Sequence, residues 1–194
     1  RSNMKIKIIV IIKDRIWFIM NYLIIGGSKS GKSHISEQIA LSLNKDKAVY
    51  IATMKPFDIE DEERIKNHIK AREGLNFITI EKQLSLHEIV NEIKENDTVL
   101  LDSITSLLTN EMFAGNEIVT DPSIKILTSL DLIMNKAENT IIVSDFIFND
   151  SMEYDDITEI YKKELGIINR HLARICENVI ECSFGNIKYH KGGN

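Results

Sequence analysis

The sequence predicts an α/β domain: a mostly parallel sheet with helices on both faces and a C-terminal β-hairpin. Three observations carry that prediction. Apolar runs of strand length alternate with helix-length stretches along the chain, and such βαβα order implies parallel strands joined by crossover helices. Hydrophobic residues make up 43% of the 194, enough apolar material for one domain with a sizeable core. A glycine-rich turn, Gly26-Gly27-Ser28-Lys29-Ser30-Gly31-Lys32-Ser33, joins the first strong strand pattern to the first helical one.

The elements follow in order. Arg1-Ser2-Asn3 precede the first methionine and read as an expression remnant. Residues 1–19 are expected to be an N-terminal extension, as an accessory strand, a disordered arm or a misassigned segment. The nucleotide-binding catalytic domain is then expected over 20–194, with Met20 as a natural start. Tyr22-Leu23-Ile24-Ile25 reads as a buried strand, and His34 to Asn44 as a helix with apolar Ile35, Ile39, Leu41 and Leu43. Ala48 to Thr53 is a strand, Asp58 to Glu73 a helix, and Asn76 to Glu81 a strand. Ser85 and Glu88 form a capping-box pattern that predicts a helix to about Glu95. Thr98-Val99-Leu100-Leu101-Asp102 is a buried strand ending in an acid, followed by a short helix through Phe113 that Gly115-Asn116 breaks. Asp121-Pro122 supplies an N-cap and a first-turn proline for a helix to about Glu138. Thr140 to Ser144 is a strand and Ile157 to about Asn178 a long helix. Val179 to Ser183 and Ile187 to His190 make a hairpin around Gly185-Asn186.

The glycine-rich turn matches G-x-x-x-x-G-K-S, a phosphate-binding loop, and gives the fold a P-loop NTPase-like (RecA-like) character. Its glycines let the backbone curl until several N–H groups point inward, where the next helix also presents its positive dipole end. Gly26, Gly27, Ser28, Lys29, Ser30, Gly31, Lys32 and Ser33 are therefore candidate nucleotide-binding residues. Lys32 would reach the β and γ phosphates, and the Ser33 hydroxyl would sit on a bridging Mg²⁺. Asp102 fits the acid of a Walker B strand, a second Mg²⁺ contact and a candidate catalytic residue.

Arg64, His68 and Arg72 stand four residues apart and form one ridge on a helix, beside Ile65 and Ile69. Two guanidinium groups flanking an imidazole suit a polyphosphate, and a neutral ring nitrogen can attack an α-phosphorus. The same spacing also describes an ordinary solvated face carrying Glu62, Glu63, Lys66 and Lys70. His34, His87, His171 and His190 lack metal-ligand spacing. A net charge of −5 argues against nucleic acid as a partner, because phosphate neutralisation needs a surplus of Lys and Arg. Lys5 to Met20 is broken by charges and predicts no membrane span. Cys176 and Cys182 have neither zinc nor redox spacing and read as core thiols of a cytoplasmic protein.

These residues resemble the bifunctional adenosylcobinamide kinase/adenosylcobinamide-phosphate guanylyltransferases of cobalamin biosynthesis. The similarity runs from Met20 to Lys188. It rests on the GGSKSGKS start, Glu37, Tyr50-Ile51-Ala52-Thr53, and the block Asp61-Glu62-Glu63-Arg64-Ile65-x-x-His68-x-x-x-Arg72. Leu101-Asp102-Ser103-Ile104-Thr105 with Asn110, then Gly166, Asn169 and Ser183-Phe184-Gly185, complete it. The Arg-Ile-x-x-His block after Tyr-Ile-Ala-Thr is the specific part.

By that resemblance His68 matches the histidine that accepts GMP from GTP as a phosphoramidate and hands it to adenosylcobinamide phosphate. Lys32, Ser33 and Asp102 match the phosphate and Mg²⁺ contacts. The resemblance also implies phosphorylation of the aminopropanol hydroxyl of adenosylcobinamide, a corrinoid, by ATP or GTP, and a homotrimer with active sites between subunits.

The chain departs from the family where Ser-Asn-Glu-Val-Gly is usual. It reads Ser144-Asp145-Phe146-Ile147-Phe148, followed by an acidic stretch from Asn149 to Asp156. The usual acid is lost, and Asp145 is the candidate to replace it. This divergence favours a nucleotide-binding switch that has lost transfer chemistry, whereas the intact Arg64-Ile65-x-x-His68 block favours the bifunctional enzyme. A plain small-molecule kinase is the third reading.

Overall fold

The strand that feeds the glycine-rich turn lies inside a seven-stranded sheet and is buried on both faces, which explains its unbroken apolar run. The structure is a computed structural model that describes residues 10–12, 15–17, 20–56, 59–146 and 152–193. The side chains at 10–12, 15–17, 60, 64, 67, 68 and 71 are outside the description. Val10–Ile12 (β1) and Arg15–Trp17 (β2) pair as a separate antiparallel ribbon. For the rest of the expected extension over 1–19, residues 1–9, 13, 14, 18 and 19 lie outside the described residues.

The main sheet contains β3 (Met20–Gly26), β4 (Ala48–Ala52), β5 (Phe77–Glu81), β6 (Thr98–Asp102), β7 (Asn139–Asp145), β8 (Asn178–Ser183) and β9 (Asn186–Lys191). Their order is β5-β4-β6-β7-β3-β8-β9. Every neighbouring pair is parallel except β8 and β9. The helices are α1 (Lys32–Leu43), α2 (Ile59–Arg72), α3 (Ile104–Met112), α4 (Ser123–Lys136) and α5 (Asp156–Ile175), with a 3₁₀ helix at Leu86–Glu92.

Side chains alternate between two core layers because successive strand residues point to opposite faces. Leu23, Val49, Ile51, Leu101 and Ile142 pack on one face with Leu107, Leu130 and Leu172 from α3, α4 and α5. Ile24, Tyr50, Leu100, Ile141 and Ile180 pack on the other with Ala40, Ile35 and Ile39 from α1. Parallel strands so arranged finish together, and their C-terminal ends bring Gly26, Ala52, Asp102 and Asp145 to one edge. Gly26 pairs with Asp145, and Ala52 with Asp102.

Three local expectations are corrected. Ser85 does not open an α-helix: it sits at φ 53°, its side chain caps nothing, and a 3₁₀ helix ends at Glu92. Its N–H donates instead to the buried Glu111 carboxylate at 2.7 Å, and Glu88 turns to Lys82. The helix after Asp121-Pro122 begins at Ser123, whose N–H is met by Glu164 Oε2 of α5 at 3.1 Å. The hairpin turns at Phe184-Gly185, with φ of 51° and 76°, so Asn186 already belongs to β9. Two successive positive φ values suit the twist of a two-residue hairpin loop.

Candidate active site

The phosphate-loop residues fold as their types require. A Cβ on Gly26 would fall on the Cys182 carbonyl oxygen and 2.6 Å from Ser30 Oγ, so only glycine fits between the loop and β8. Gly31 is the N-cap of α1 at φ 95°, a backbone region that L side chains rarely adopt. The helix thus starts at Lys32, two residues before the sequence pattern suggested, and aims its dipole at the loop. The buried Lys32 places Nζ 2.6 Å from the Gly27 carbonyl oxygen and 2.6 Å from Asp145 Oδ1. Ser30 Oγ is buried without a hydrogen-bond partner.

Asp145 closes the far side of this cation. Its Oδ2 accepts from Thr105 Oγ1 at 2.8 Å, and its carbonyl oxygen accepts from Asn169 Nδ2 at 2.9 Å. Asn169 in turn accepts from Ser144 Oγ at 2.6 Å, which fixes the end of β7. The direct contact between Asp145 and Lys32 had no signal in the sequence beyond a shifted acid. It arises because β7 lies between β3 and β6.

Asp102 stands at the end of β6, the position expected of it. Tyr50 donates its hydroxyl to Asp102 Oδ2 at 2.9 Å. Burial, and then the negative charge of Asp102, hold the Tyr50 phenol far above its ordinary range, so it acts as a permanent donor. Over the Tyr50 ring lies the Arg72 guanidinium, 3.7 Å from the centroid. Arg72 is only 6% exposed, and its Nε and Nη1 make no hydrogen bond. Glu37 Oε1 is 3.7 Å from Nη1, an ion pair beyond hydrogen-bond range. Burial raises the Glu37 carboxyl above its usual value, and Arg72 offsets only part of that rise. Tyr50 and Glu37 entered the sequence reading only as marks of the family resemblance, with no role at the site, since a tyrosine in an apolar strand reads as core.

These groups surround a cleft of about 730 Å³. Ser28, Lys29, Lys32 and Ser33 form one end, with Asp102, Ser103, Thr105 and Asp145 beside them. The opposite wall is α2, through Glu62, Ile65, Lys66, Ile69 and Arg72, and Met54, Pro56, Thr79, Glu81 and Gln83 complete it. Arg64 and His68 belong to α2, but their side chains lie outside the described residues. His68 precedes Arg72 by one helical turn.

The donor set also suits Mg²⁺. That ion takes hard oxygen ligands and keeps several waters, so one hydroxyl and one carboxylate together with substrate phosphates suffice. Ser33 and Asp102 line the same end of the cleft, and Tyr50 occupies only Oδ2 of Asp102. Among the described residues no cluster of three or more His, Cys, Asp or Glu forms a protein-only metal cage. Nor is any described helix long and apolar enough to cross a membrane. Both cysteines are buried and unpaired, as their spacing implied.

Comparison with known proteins adds a family. The profile described as cobinamide kinase / cobinamide phosphate guanyltransferase matches residues 22–188. The bifunctional adenosylcobalamin biosynthesis protein CobU of Escherichia coli (strain K12) is 36% identical over 95 residues, 48% of this chain and 51% of that protein. Its Salmonella typhimurium (strain LT2) namesake is 34% identical over 96 residues, 49% of this chain and 51% of its own. The chain thus spans about half the length of these two relatives. The bifunctional adenosylcobalamin biosynthesis protein CobP of Pseudomonas aeruginosa is 29% identical over 161 residues, 82% of this chain and 91% of that one. Among solved structures, an isolated ATPase domain superposes with TM-score 0.52 at 13% identity, covering 84% of this chain and 68% of that one. A protein of Pyrococcus horikoshii OT3 gives 0.54 at 13% identity, covering 90% and 87%. These two likenesses speak to the P-loop NTPase-like fold alone.

Proposed function

The chain belongs to the cobinamide kinase / cobinamide phosphate guanyltransferase family, and on that premise we propose that it carries out both transfers of cobalamin biosynthesis. It phosphorylates adenosylcobinamide with ATP or GTP, then moves GMP from GTP through His68 to adenosylcobinamide phosphate. One observation carries the reading: α2, the helix that bears His68, forms a wall of the same cleft that Lys32 and Ser33 floor.

In the nucleotidyl step a neutral His68 ring nitrogen attacks the α-phosphorus of GTP. The bond from that phosphorus to the α,β-bridging oxygen breaks, and pyrophosphate leaves with the electron pair. Lys32 and the loop N–H groups hold the departing phosphates, and Arg72 offers two unpaired donors to an anion. A phosphate oxygen of the corrinoid then attacks the same phosphorus, and the N–P bond breaks to restore the ring. Mg²⁺ held by Ser33 and Asp102 would spread the charge of the β and γ phosphates. Tyr50 fixes the Asp102 carboxylate for that purpose through its hydrogen bond. A homotrimer, the assembly that the family resemblance implies, belongs to the same proposal.

The test is covalent trapping. Protein is incubated with Mg²⁺ and GTP labelled at the α-phosphate, then denatured. The expected product is an acid-labile, alkali-stable adduct that His68→Ala abolishes and Lys32→Ala weakens. An adduct of undiminished yield in His68→Ala removes that histidine from the site. No adduct in the native protein removes guanylyl transfer and leaves a kinase or a nucleotide switch.

A further inference from the structure

We propose that Asp145 is the proton acceptor of the phosphoryl-transfer reaction, the group that takes the hydroxyl proton of the corrinoid's alcohol. The proposal rests on the kinase half of the function given above and assigns a residue to it.

The argument starts from position. One strand, β7, separates the phosphate-loop strand β3 from β6, which ends in Asp102. The last residue of β7 is Asp145, in register with Gly26 at the root of the loop. Two carboxylates therefore stand at the phosphate end of the cleft, in different environments. Asp102 is engaged by the Tyr50 hydroxyl at Oδ2. Asp145 is divided: Thr105 Oγ1 donates to Oδ2, while among the described residues Oδ1 is held only by Lys32 Nζ, 2.6 Å away.

Nucleotide binding must break that second contact. The phosphate-loop lysine serves the β and γ phosphates, so Nζ leaves Asp145 as the triphosphate arrives. Thr105 and the Asn169 clamp on the backbone keep the carboxylate in place. Its side chain is 21% exposed, and once Nζ has gone Oδ1 has no donor among the described residues at the end of the cleft that Lys32 and Ser33 line. An incoming hydroxyl supplies the missing donor. Its oxygen bonds the γ-phosphorus, and the bond from that phosphorus to the β,γ-bridging oxygen breaks. The electron pair leaves on the nucleoside diphosphate, and the hydroxyl proton passes to Oδ1. The guanylyl step needs no such acceptor, because its nucleophiles are a neutral ring nitrogen and an ionised phosphate.

That asymmetry supplies the experiment. Asp145→Asn and Asp145→Glu are assayed with GTP and adenosylcobinamide for phosphorylation, and with α-labelled GTP for the histidine adduct. The expected result for Asn is a kcat for phosphorylation lower by about 10²–10⁴-fold, with the KM for GTP and the adduct yield within about threefold of native. Glu recovers part of the phosphorylation. Adduct formation also certifies that the variant is folded and binds nucleotide. Three results overturn the proposal. Phosphorylation unchanged in Asn makes Asp145 a bystander. A parallel fall in phosphorylation and adduct makes it a mere holder of Lys32. Native protein that forms the adduct but does not phosphorylate leaves the proton without a reaction, whereas native protein that forms no adduct refutes guanylyl transfer instead.

Discussion

Replacing Arg72 by methionine separates what this side chain does for the fold from what it does for a ligand. In the nucleotide-free protein its guanidinium gains about 2 kcal/mol from the desolvated Tyr50 ring. It gains further from Glu37, 3.7 Å away. Against this stand two buried donors, Nε and Nη1, without partners, and each costs about 1–3 kcal/mol. The terms nearly cancel, so Arg72→Met is expected to change the unfolding free energy by less than about 2 kcal/mol in either direction. With a triphosphate in the cleft the balance shifts, because a charge-assisted hydrogen bond contributes about 1.5–3 kcal/mol. Losing even one of the two raises Kd by about 10- to 150-fold, at about 1.4 kcal/mol per tenfold. Urea unfolding measures the first quantity, and calorimetric titration with a non-hydrolysable GTP analogue the second. A variant that folds normally and binds within twofold of native would refute the reasoning, since the orphaned donors would then face no ligand.

Two further predictions concern the scaffold. Burial pushes the Cys176 thiol up to about 12, well above the value near 8.5 of an unfolded thiol. Below pH 8.5 both states are protonated and stability is untouched. Between that pH and the folded value the unfolded chain releases a proton that the native state keeps, so stability falls by up to about 1.4 kcal/mol per pH unit. Urea unfolding at pH 8 to 11 is therefore expected to give a flatter profile for Cys176→Ala than for native protein, and parallel profiles would contradict it. Gly26→Ala drives a methyl into the Cys182 carbonyl oxygen and Ser30 Oγ. Overpacking of this kind costs about 1–3 kcal/mol, which lowers Tm by about 2–4 °C per kcal/mol. Differential scanning calorimetry checks it, and an unchanged Tm would mean that the loop does not lie against β8.

Much of this molecule was legible because it depends on local rules. The runs at Tyr22 to Ile25 and Val99 to Leu101 are unbroken by charge because both sheet faces are covered, and that pattern is visible without coordinates. The glycine-rich turn was legible for a similar reason, as Gly31 at φ 95° and the helix start at Lys32 follow from residues within one turn of chain. What misled was competition from afar. Ser85 and Glu88 spell a capping box, yet Glu111 claims the Ser85 N–H and Lys82 claims Glu88. Asp121 spells an N-cap, yet Glu164 on α5 meets the first free N–H of α4. Charged partners outcompete local caps because a buried carboxylate must find donors wherever the fold brings them.

The sequence by itself determined the α/β order, the glycine-rich turn from Gly26 to Ser33 and the acid at the end of β6, all consequences of chain period and backbone freedom. Only the tertiary structure decided that Asp145 rests on Lys32, that Tyr50 grips Asp102 and that Arg72 lies over Tyr50. Those contacts join residues far apart in the chain. They follow from strand order, since inserting β7 beside β3 and β4 beside β6 chooses which side chains share the edge where the strands end. A linear pattern records which residues are present, whereas the sheet's spatial permutation sets which of them can exchange a proton or hold one phosphate.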